Sequence, residues 1–140
     1  MKNLRVCLAV LLAASVTVGA QAPRTFKARL SSVPVDATMV PSTTGVGAVT
    51  AVLTGNKLAI NGTFKGLQGP ATVARIHIAP RAQRGPAMSD LVVTKATEGT
   101  VTGELTLTPI QVDHLTRSRL YVQLHSEKAP EGNLWGWLLP

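Results

Sequence analysis

The feature that most constrains the fold of this chain is a series of short, β-branched apolar runs separated by turn-forming residues. Gly, Pro, Asn and Ser interrupt these runs throughout the chain, a pattern typical of an all-β domain. Gly55-Asn56 suits a two-residue hairpin turn, so the strands on either side of it are expected to be antiparallel neighbours. The runs predict strands at 26–31, 47–54, 57–64, 72–79, 89–94, 100–107, 120–125 and 134–139.

One segment has the pattern of a short helix. Thr108 can act as an N-cap, Pro109 fits the first helical position, and Gln111 follows the cap by three residues, as in a capping box. We therefore expect a helix from Pro109 to about Thr116 that carries the chain from one strand to the next. The longest loop-like stretch, 32–45, is expected to wrap one end of the domain rather than to separate two domains.

The N-terminus has the order of a secretory signal, with two basic residues, an apolar stretch and then small residues. Val18 and Ala20 occupy the small-residue positions of a cleavage site, so the mature chain is expected to begin at Gln21. A retained membrane anchor is the alternative, but the apolar run is shorter than the ~20 residues that span a bilayer. We predict a signal peptide at 1–20, one β domain at 21–140, a periplasmic or secreted location, and no stable membrane anchor after cleavage.

Cleavage of this signal would change the composition of the chain. It removes Cys7, the only cysteine, so the mature protein would have no disulfide or thiol. It also removes Lys2 and Arg5, which lowers the formal net charge of +7 by two. The remaining positive charge is typical of a soluble surface, or of a domain that binds an anionic polymer. We expect an envelope protein or an anionic polymer as partner, and no nucleic acid, because aromatic residues for base stacking are few.

Two predicted strands carry polar side chains on the face opposite their apolar residues. Arg75 and His77 share this face on one strand, and Tyr121, Gln123 and His125 share it on another, because side chains alternate along a strand. If the two strands pair or pack end to end, these five residues form one polar patch.

Imidazoles on rigid strands suit a metal such as copper or zinc, so His77 and His125 are candidate ligands. Two histidines are an incomplete ligand set. The other interpretation is that they are hydrogen-bonded surface or half-buried histidines. His114, on the predicted helix, is expected to be solvated. The residues that could supply a third ligand are Met88, Asp113, His114 and Glu127.

The chain has no recognisable catalytic motif. No serine lies in a nucleophile elbow, and neither a Gly-rich phosphate loop nor a pair of carboxylates is present. We therefore predict that the chain is not an enzyme, has no catalytic residue and binds no cofactor. The alternative to the last prediction is that it binds copper.

Trp135 and Trp137 alternate with Gly136 on the last predicted strand, so both indoles should lie on one face. They are either a stacked pair that covers the end of the domain or an exposed strip that binds a glycan or a partner.

Several of these segments, taken in order, resemble the CHRD (chordin-type) domain of exported bacterial proteins and animal chordins. The resemblance covers nearly all of the chain after the signal. It implies a single-domain antiparallel Greek-key β-sandwich or barrel, immunoglobulin-like or superoxide-dismutase-like, with one short helix, used for binding or assembly. The segments include Phe26-Lys27-Ala28-Arg29-Leu30, Val33-Pro34-Val35, Ala74-Arg75-Ile76-His77 and Leu120-Tyr121-Val122-Gln123-Leu124-His125.

The chain departs from this family pattern at its polar positions. Arg75 stands where the family usually has the first histidine of His-x-His, and a guanidinium does not ligate a metal. We therefore predict an exported, non-enzymatic CHRD module of the cell envelope. The alternative is a periplasmic copper-binding protein that uses His77 and His125. The candidate binding residues are Arg75, Tyr121, Gln123, Trp135 and Trp137.

Overall fold

The computed structural model describes residues 19, 21–32 and 36–140 of the chain. The predicted signal peptide and Val33-Pro34-Val35 therefore lie outside the described residues, apart from Gly19. The described part contains the predicted helix and all of the predicted strands, the last of which begins five residues earlier than expected. The elements are β1 (Arg24–Ser32), β2 (Val46–Thr54), β3 (Lys57–Lys65), β4 (Ala71–Ile78), β5 (Ala87–Val93), β6 (Gly99–Thr106), α1 (Pro109–Thr116), β7 (Leu120–Ser126) and β8 (Ala129–Trp137), with a 3₁₀ turn at Ala37–Met39.

The strands form a closed antiparallel barrel in the order β1-β2-β3-β6-β5-β4-β7-β8. β4, β5 and β6 are neighbours in sequence and in the sheet, while β7 returns to lie beside β4, which is a Greek-key arrangement. The all-β, antiparallel fold with one short helix is therefore confirmed. Among the described residues, no helix is long and apolar enough to cross a membrane.

The turn and helix predictions are confirmed by specific contacts. β2 and β3 pair along their whole length up to Thr54↔Lys57, and Gly55 between them has φ +62°, as a tight hairpin turn requires. At the start of α1, the Gln111 N–H donates to Thr108 Oγ1 (3.3 Å) and the Thr108 N–H donates to Gln111 Oε1 (2.9 Å). Leu115 of this helix is fully buried, so α1 contributes to the core.

Two weak seams divide the barrel into halves. β5 and β6 pair only at Val92↔Thr102 and Val93↔Val101. β1 and β8 pair only at Ser31↔Trp135 and Ser32↔Leu134. β1 also forms an isolated bridge, Lys27↔Leu139, with the residues that follow β8. The halves are β1-β2-β3-β6 and β5-β4-β7-β8, and alternate side chains of both fill a common apolar core.

The loop before β2 is tied to the second half. Asn133 is fully buried, and its Nδ2 donates to the Thr44 carbonyl at 2.6 Å. Its Oδ1 accepts from Ser126 Oγ at 2.7 Å. The end of this loop is therefore tied, at Thr44, to Asn133 of β8.

Candidate functional site: a covered aromatic and histidine face

Strand pairing brings the predicted polar patch together. In the register of β4 and β7, His77 lies opposite Tyr121, Arg75 lies opposite Gln123, and His125 lies two residues further along the same face. β8 extends the patch, because Trp137 pairs with Tyr121 and Trp135 with Gln123. We call these outward side chains of β4, β7 and β8 the covered face; they are Arg75, His77, Tyr121, Gln123, His125, Trp135 and Trp137.

Tyr121 is the centre of an aromatic cluster on this face. Its ring stacks on the His77 imidazole, with centroids 4.8 Å apart, and on the Trp135 indole at 5.8 Å. Trp137 contacts it in a tilted arrangement at 4.7 Å. Such ring pairs stabilise a fold by about 0.5–1.5 kcal/mol each beyond the area they bury.

The loop at residues 80–86, between β4 and β5, covers one side of the cluster. The Gly85 N–H donates to the Tyr121 hydroxyl at 3.1 Å, and the Gly85 carbonyl accepts from His77 Nδ1 at 2.9 Å. Trp137 Nε1 donates to the carbonyl of Ala79 at 3.2 Å. A Cβ on Gly85 would lie 1.8 Å from the Ile78 carbonyl oxygen, so only glycine lets the backbone approach this closely.

A bulge at residues 130–133 covers the other side. Four residues of β8 lie opposite the single residue His125 of β7, so the extra backbone folds outward over the face. The carbonyls of Pro130 and Glu131 accept from His125 Nδ1 (2.8 Å) and Gln123 Nε2 (3.1 Å). Gly132 has φ +131°, and a Cβ there would lie 2.1 Å from Gln123 Nε2.

These two segments bury most of the face. The exposed fraction is 1% for Tyr121, 4% for Gln123, 5% for Trp135 and 9% for His77. Trp137 is half-buried. Of the two interpretations of the tryptophans, the exposed strip is wrong for Trp135, because the bulge and the neighbouring rings enclose its indole.

The charges around the face are mainly positive. Arg75 is held by Asp90 of β5, with Nε 2.8 Å from Oδ1. Arg84 of the 80–86 loop lies over the Trp135 ring, 4.6 Å from its centroid. Burial lowers the pKa of His77, the carbonyl of Gly85 opposes this shift, and the charges of His125, Arg75 and Arg84 lower the pKa further.

The hydrogen bonds fix the tautomers of both histidines. A carbonyl oxygen can only accept, so Nδ1 of His77 and of His125 each carries the proton. In the neutral ring Nε2 is then a free lone pair. Within the part of the chain that the structure describes, both Nε2 atoms are buried and have no hydrogen-bond partner, and the same holds for the Trp135 indole N–H.

The predicted third ligands do not join these histidines. Within the described residues, no three His, Cys, Asp or Glu side chains are grouped closely enough to hold a metal ion. Met88 packs against the apolar core, and Asp113 pairs with Arg117 at 2.9 Å. His114 was expected to be solvated, but it is half-buried, and its Nδ1 has no hydrogen-bond partner among residues 21–32 and 36–140.

Sequence reasoning did not identify the groups that cover the face or the cations beside it. Arg29 lies on β1 midway between the Ser31↔Trp135 pair and the Lys27↔Leu139 bridge, so the register sets it opposite Trp137. Arg29 and Arg84 are exposed. The sequence did contain one signal for the covering segments. Gly85 precedes a proline and Gly132 lies two residues after one, and such pairs indicate tight backbone turns.

The described residues thus form a closed antiparallel Greek-key β-barrel with a covered outer face, and this defines the fold class. The family model of the CHRD domain matches residues 26–138. This chain therefore belongs to the CHRD domain family. Membership of this family supports, in general terms, a role as a binding module. Neither the comparison with curated proteins nor that with solved structures gave a match.

Proposed function

We propose that this protein is an exported, non-enzymatic binding module that holds an anionic polymer of the cell envelope. Its binding surface is the edge of the covered face, where Arg84 lies over Trp135 and Arg29 lies opposite Trp137 in the strand register. The signal-like residues 1–20 favour export to the periplasm or the outside of the cell.

The observation that carries the proposal is the position of these two unpaired cations. Within residues 21–32 and 36–140, the ion pairs are Arg75–Asp90 and Arg117–Asp113, so neither Arg29 nor Arg84 has a carboxylate partner there. The Arg84 guanidinium lies over the Trp135 ring, and Arg29 is exposed on β1, opposite Trp137 in the strand register. A guanidinium binds phosphate or carboxylate groups in a bidentate fashion. A chain of anionic groups lying along the β1–β8 seam would contact both.

The test is the affinity of the mature protein for long-chain polyphosphate at low and physiological salt. A cation near an anionic surface contributes about 1 kcal/mol, so the double variant Arg29→Ala/Arg84→Ala should bind more than about tenfold more weakly. The control is Lys57→Ala/Lys65→Ala, which removes the same charge from exposed positions of β3. An equal loss of affinity in both double variants would show that binding depends only on the net charge, and it would overturn the proposed surface.

Export has its own test. The protein recovered from its native host should have a mature N-terminus at Gln21, as measured by mass spectrometry of the intact chain. A chain that retains residues 1–20 inside the cell would contradict the envelope role.

The alternative function is copper binding by His77 and His125. The observation that favours it is that each ring, on one face of the barrel, has a buried Nε2 atom with no hydrogen-bond partner in the described part of the chain.

A further inference from the structure

The predicted signal peptide ends directly before a glutamine. Val18 and Ala20 are the small residues of the cleavage site, so Gln21 would become the first residue of the mature chain. A glutamine in this position has an electrophilic carbon, Cδ of its own side-chain amide, within reach of its α-amine. Because both groups belong to one residue, their reaction is intramolecular and is strongly favoured over reaction with a separate partner.

The structure leaves this residue free to react. Gln21, Ala22 and Pro23 are exposed and precede β1, whose pairing with β2 begins at Arg24↔Leu53. In the described part of the chain, Gln21 makes no hydrogen bond. A reaction between its α-amine and its side-chain amide therefore breaks no hydrogen bond of the barrel.

A cavity beside Gln21 suits a neutral end group better than a charged one. Its volume is about 330 Å³, and it is lined by Gln21, Ala22, Arg24, Leu53, Gly55 and Val112. Leu53 is buried, Val112 packs against the apolar core, and Arg24 adds a positive charge. A protonated α-amine in this cavity would lie near a like charge and lose part of its hydration, whereas a neutral lactam has neither cost.

We propose that Gln21 becomes pyroglutamate once the signal is removed, and that its lactam ring packs against Leu53 and Val112 in this cavity. This proposal rests on the export part of the proposed function and is independent of anion binding at Arg29 and Arg84.

The reaction is a cyclisation that needs no oxidant or reductant. An α-amine has an ordinary pKa of about 7.7–8.0, so at neutral pH a fraction of it is the unprotonated nucleophile that attacks Cδ. The α-nitrogen bonds to Cδ, the bond from Cδ to the side-chain nitrogen breaks, and that nitrogen leaves as ammonia with the proton that the α-amine gives up. The product has no N-terminal positive charge and no free amine for an aminopeptidase to recognise.

The experiment is mass spectrometry of the chain recovered from its native host, with fragmentation of the N-terminal peptide. We expect a chain that begins at residue 21 and is lighter than its sequence mass by one molecule of ammonia. A chain that begins with an unmodified Gln21, or that begins at Pro23, would overturn this proposal and leave export intact. A chain that retains residues 1–20 would overturn both.

Gln21→Asn is the matched control, because it retains a side-chain amide but could close only a smaller, strained ring. We expect this variant to have its full mass and to lose residue 21 to an aminopeptidase, while the wild-type chain keeps its first residue. Equal trimming of both chains would contradict the loss of the amine.

The place of the lactam has a separate test. In the mature wild-type protein, ¹H NMR should show nuclear Overhauser effects between the lactam methylene protons and the methyl groups of Val112. A pyroglutamate without these contacts would overturn its packing in the cavity.

Discussion

The outer surface of this barrel has two faces that start from the same strand alternation and end in opposite states. On the covered face, outward side chains are aromatic or polar and are buried beneath the 80–86 loop and the 130–133 bulge. On the other half, many outward side chains of β2, β3 and β6 are small and mostly face solvent. We call these small outward side chains the open face; they are Ala48, Thr50, Ala59, Asn61, Thr63, Thr100 and Thr102.

The difference shows that strand alternation alone does not decide burial in a barrel. Outward residues form a second, smaller core wherever connecting segments fold back over them. Tyr121 and Trp135 belong to such a core in this barrel. The polar atoms of such a cluster must then find partners, and most do so through backbone groups of the covering segments. The few that do not are the candidates for ligand contact.

The largest expected contrast between the faces comes from removing a ring. Tyr121→Ala deletes the centre of the aromatic cluster and should lower the free energy of unfolding by about 3–5 kcal/mol. Asn61→Ala, at an outward position of the open face, should change it by less than about 0.5 kcal/mol. Urea denaturation at neutral pH measures both, and similar effects would show that the covered face is not a packed cluster.

The next contrast concerns backbone approach. Gly85→Ala places a Cβ against the carbonyl of Ile78 and should cost about 1–3 kcal/mol by forcing the loop outward. Ala48→Val adds two methyl groups to an exposed position of the open face and should be nearly neutral. If Gly85→Ala is also neutral in thermal denaturation, the loop does not lie against the strand as described.

A smaller effect is expected from a single hydroxyl. Tyr121→Phe keeps the ring stacking but removes the acceptor of the Gly85 N–H, which should cost about 1 kcal/mol. Amide hydrogen exchange should locate the change in the 80–86 loop, with no change on the open face. Uniform loss of protection across the barrel would assign the effect to global stability instead.

The smallest effect is a pH dependence confined to the covered face. The pKa of His77 is lowered in the folded chain from its ordinary value of 6.5, so the unfolded chain binds the proton more readily. In the metal-free protein, the stability due to the neutral ring is complete above about pH 6.5 and is lost as the pH falls towards the folded pKa. His77→Gln should show a weaker decrease in melting temperature over this range, and an unchanged decrease would assign it to other groups.

The helix and strands of this fold could be predicted from the sequence because the interactions that determine them are local. Turn residues such as Gly55 and the capping box at Thr108 act within a few positions, and strand alternation correctly placed Tyr121 and His77 on one face. The covering of that face could not be predicted. It depends on hydrogen bonds between residues distant in sequence, such as Gly85 with Tyr121, and on a bulge that starts β8 at Ala129 rather than at Leu134. The register position of Arg29 opposite Trp137 likewise follows from barrel closure.

We expect ligands of this domain to contact the covered face and its cationic edge while the open face remains free. Two-dimensional ¹⁵N–¹H NMR of the mature protein, titrated with polyphosphate, measures which residues the ligand reaches. The amide signals of the 80–86 loop, of β8 and of β1 around Arg29 should shift, with those of Thr50, Asn61 and Thr102 unchanged. Shifts concentrated on the open face, or no saturable shifts at all, would contradict it.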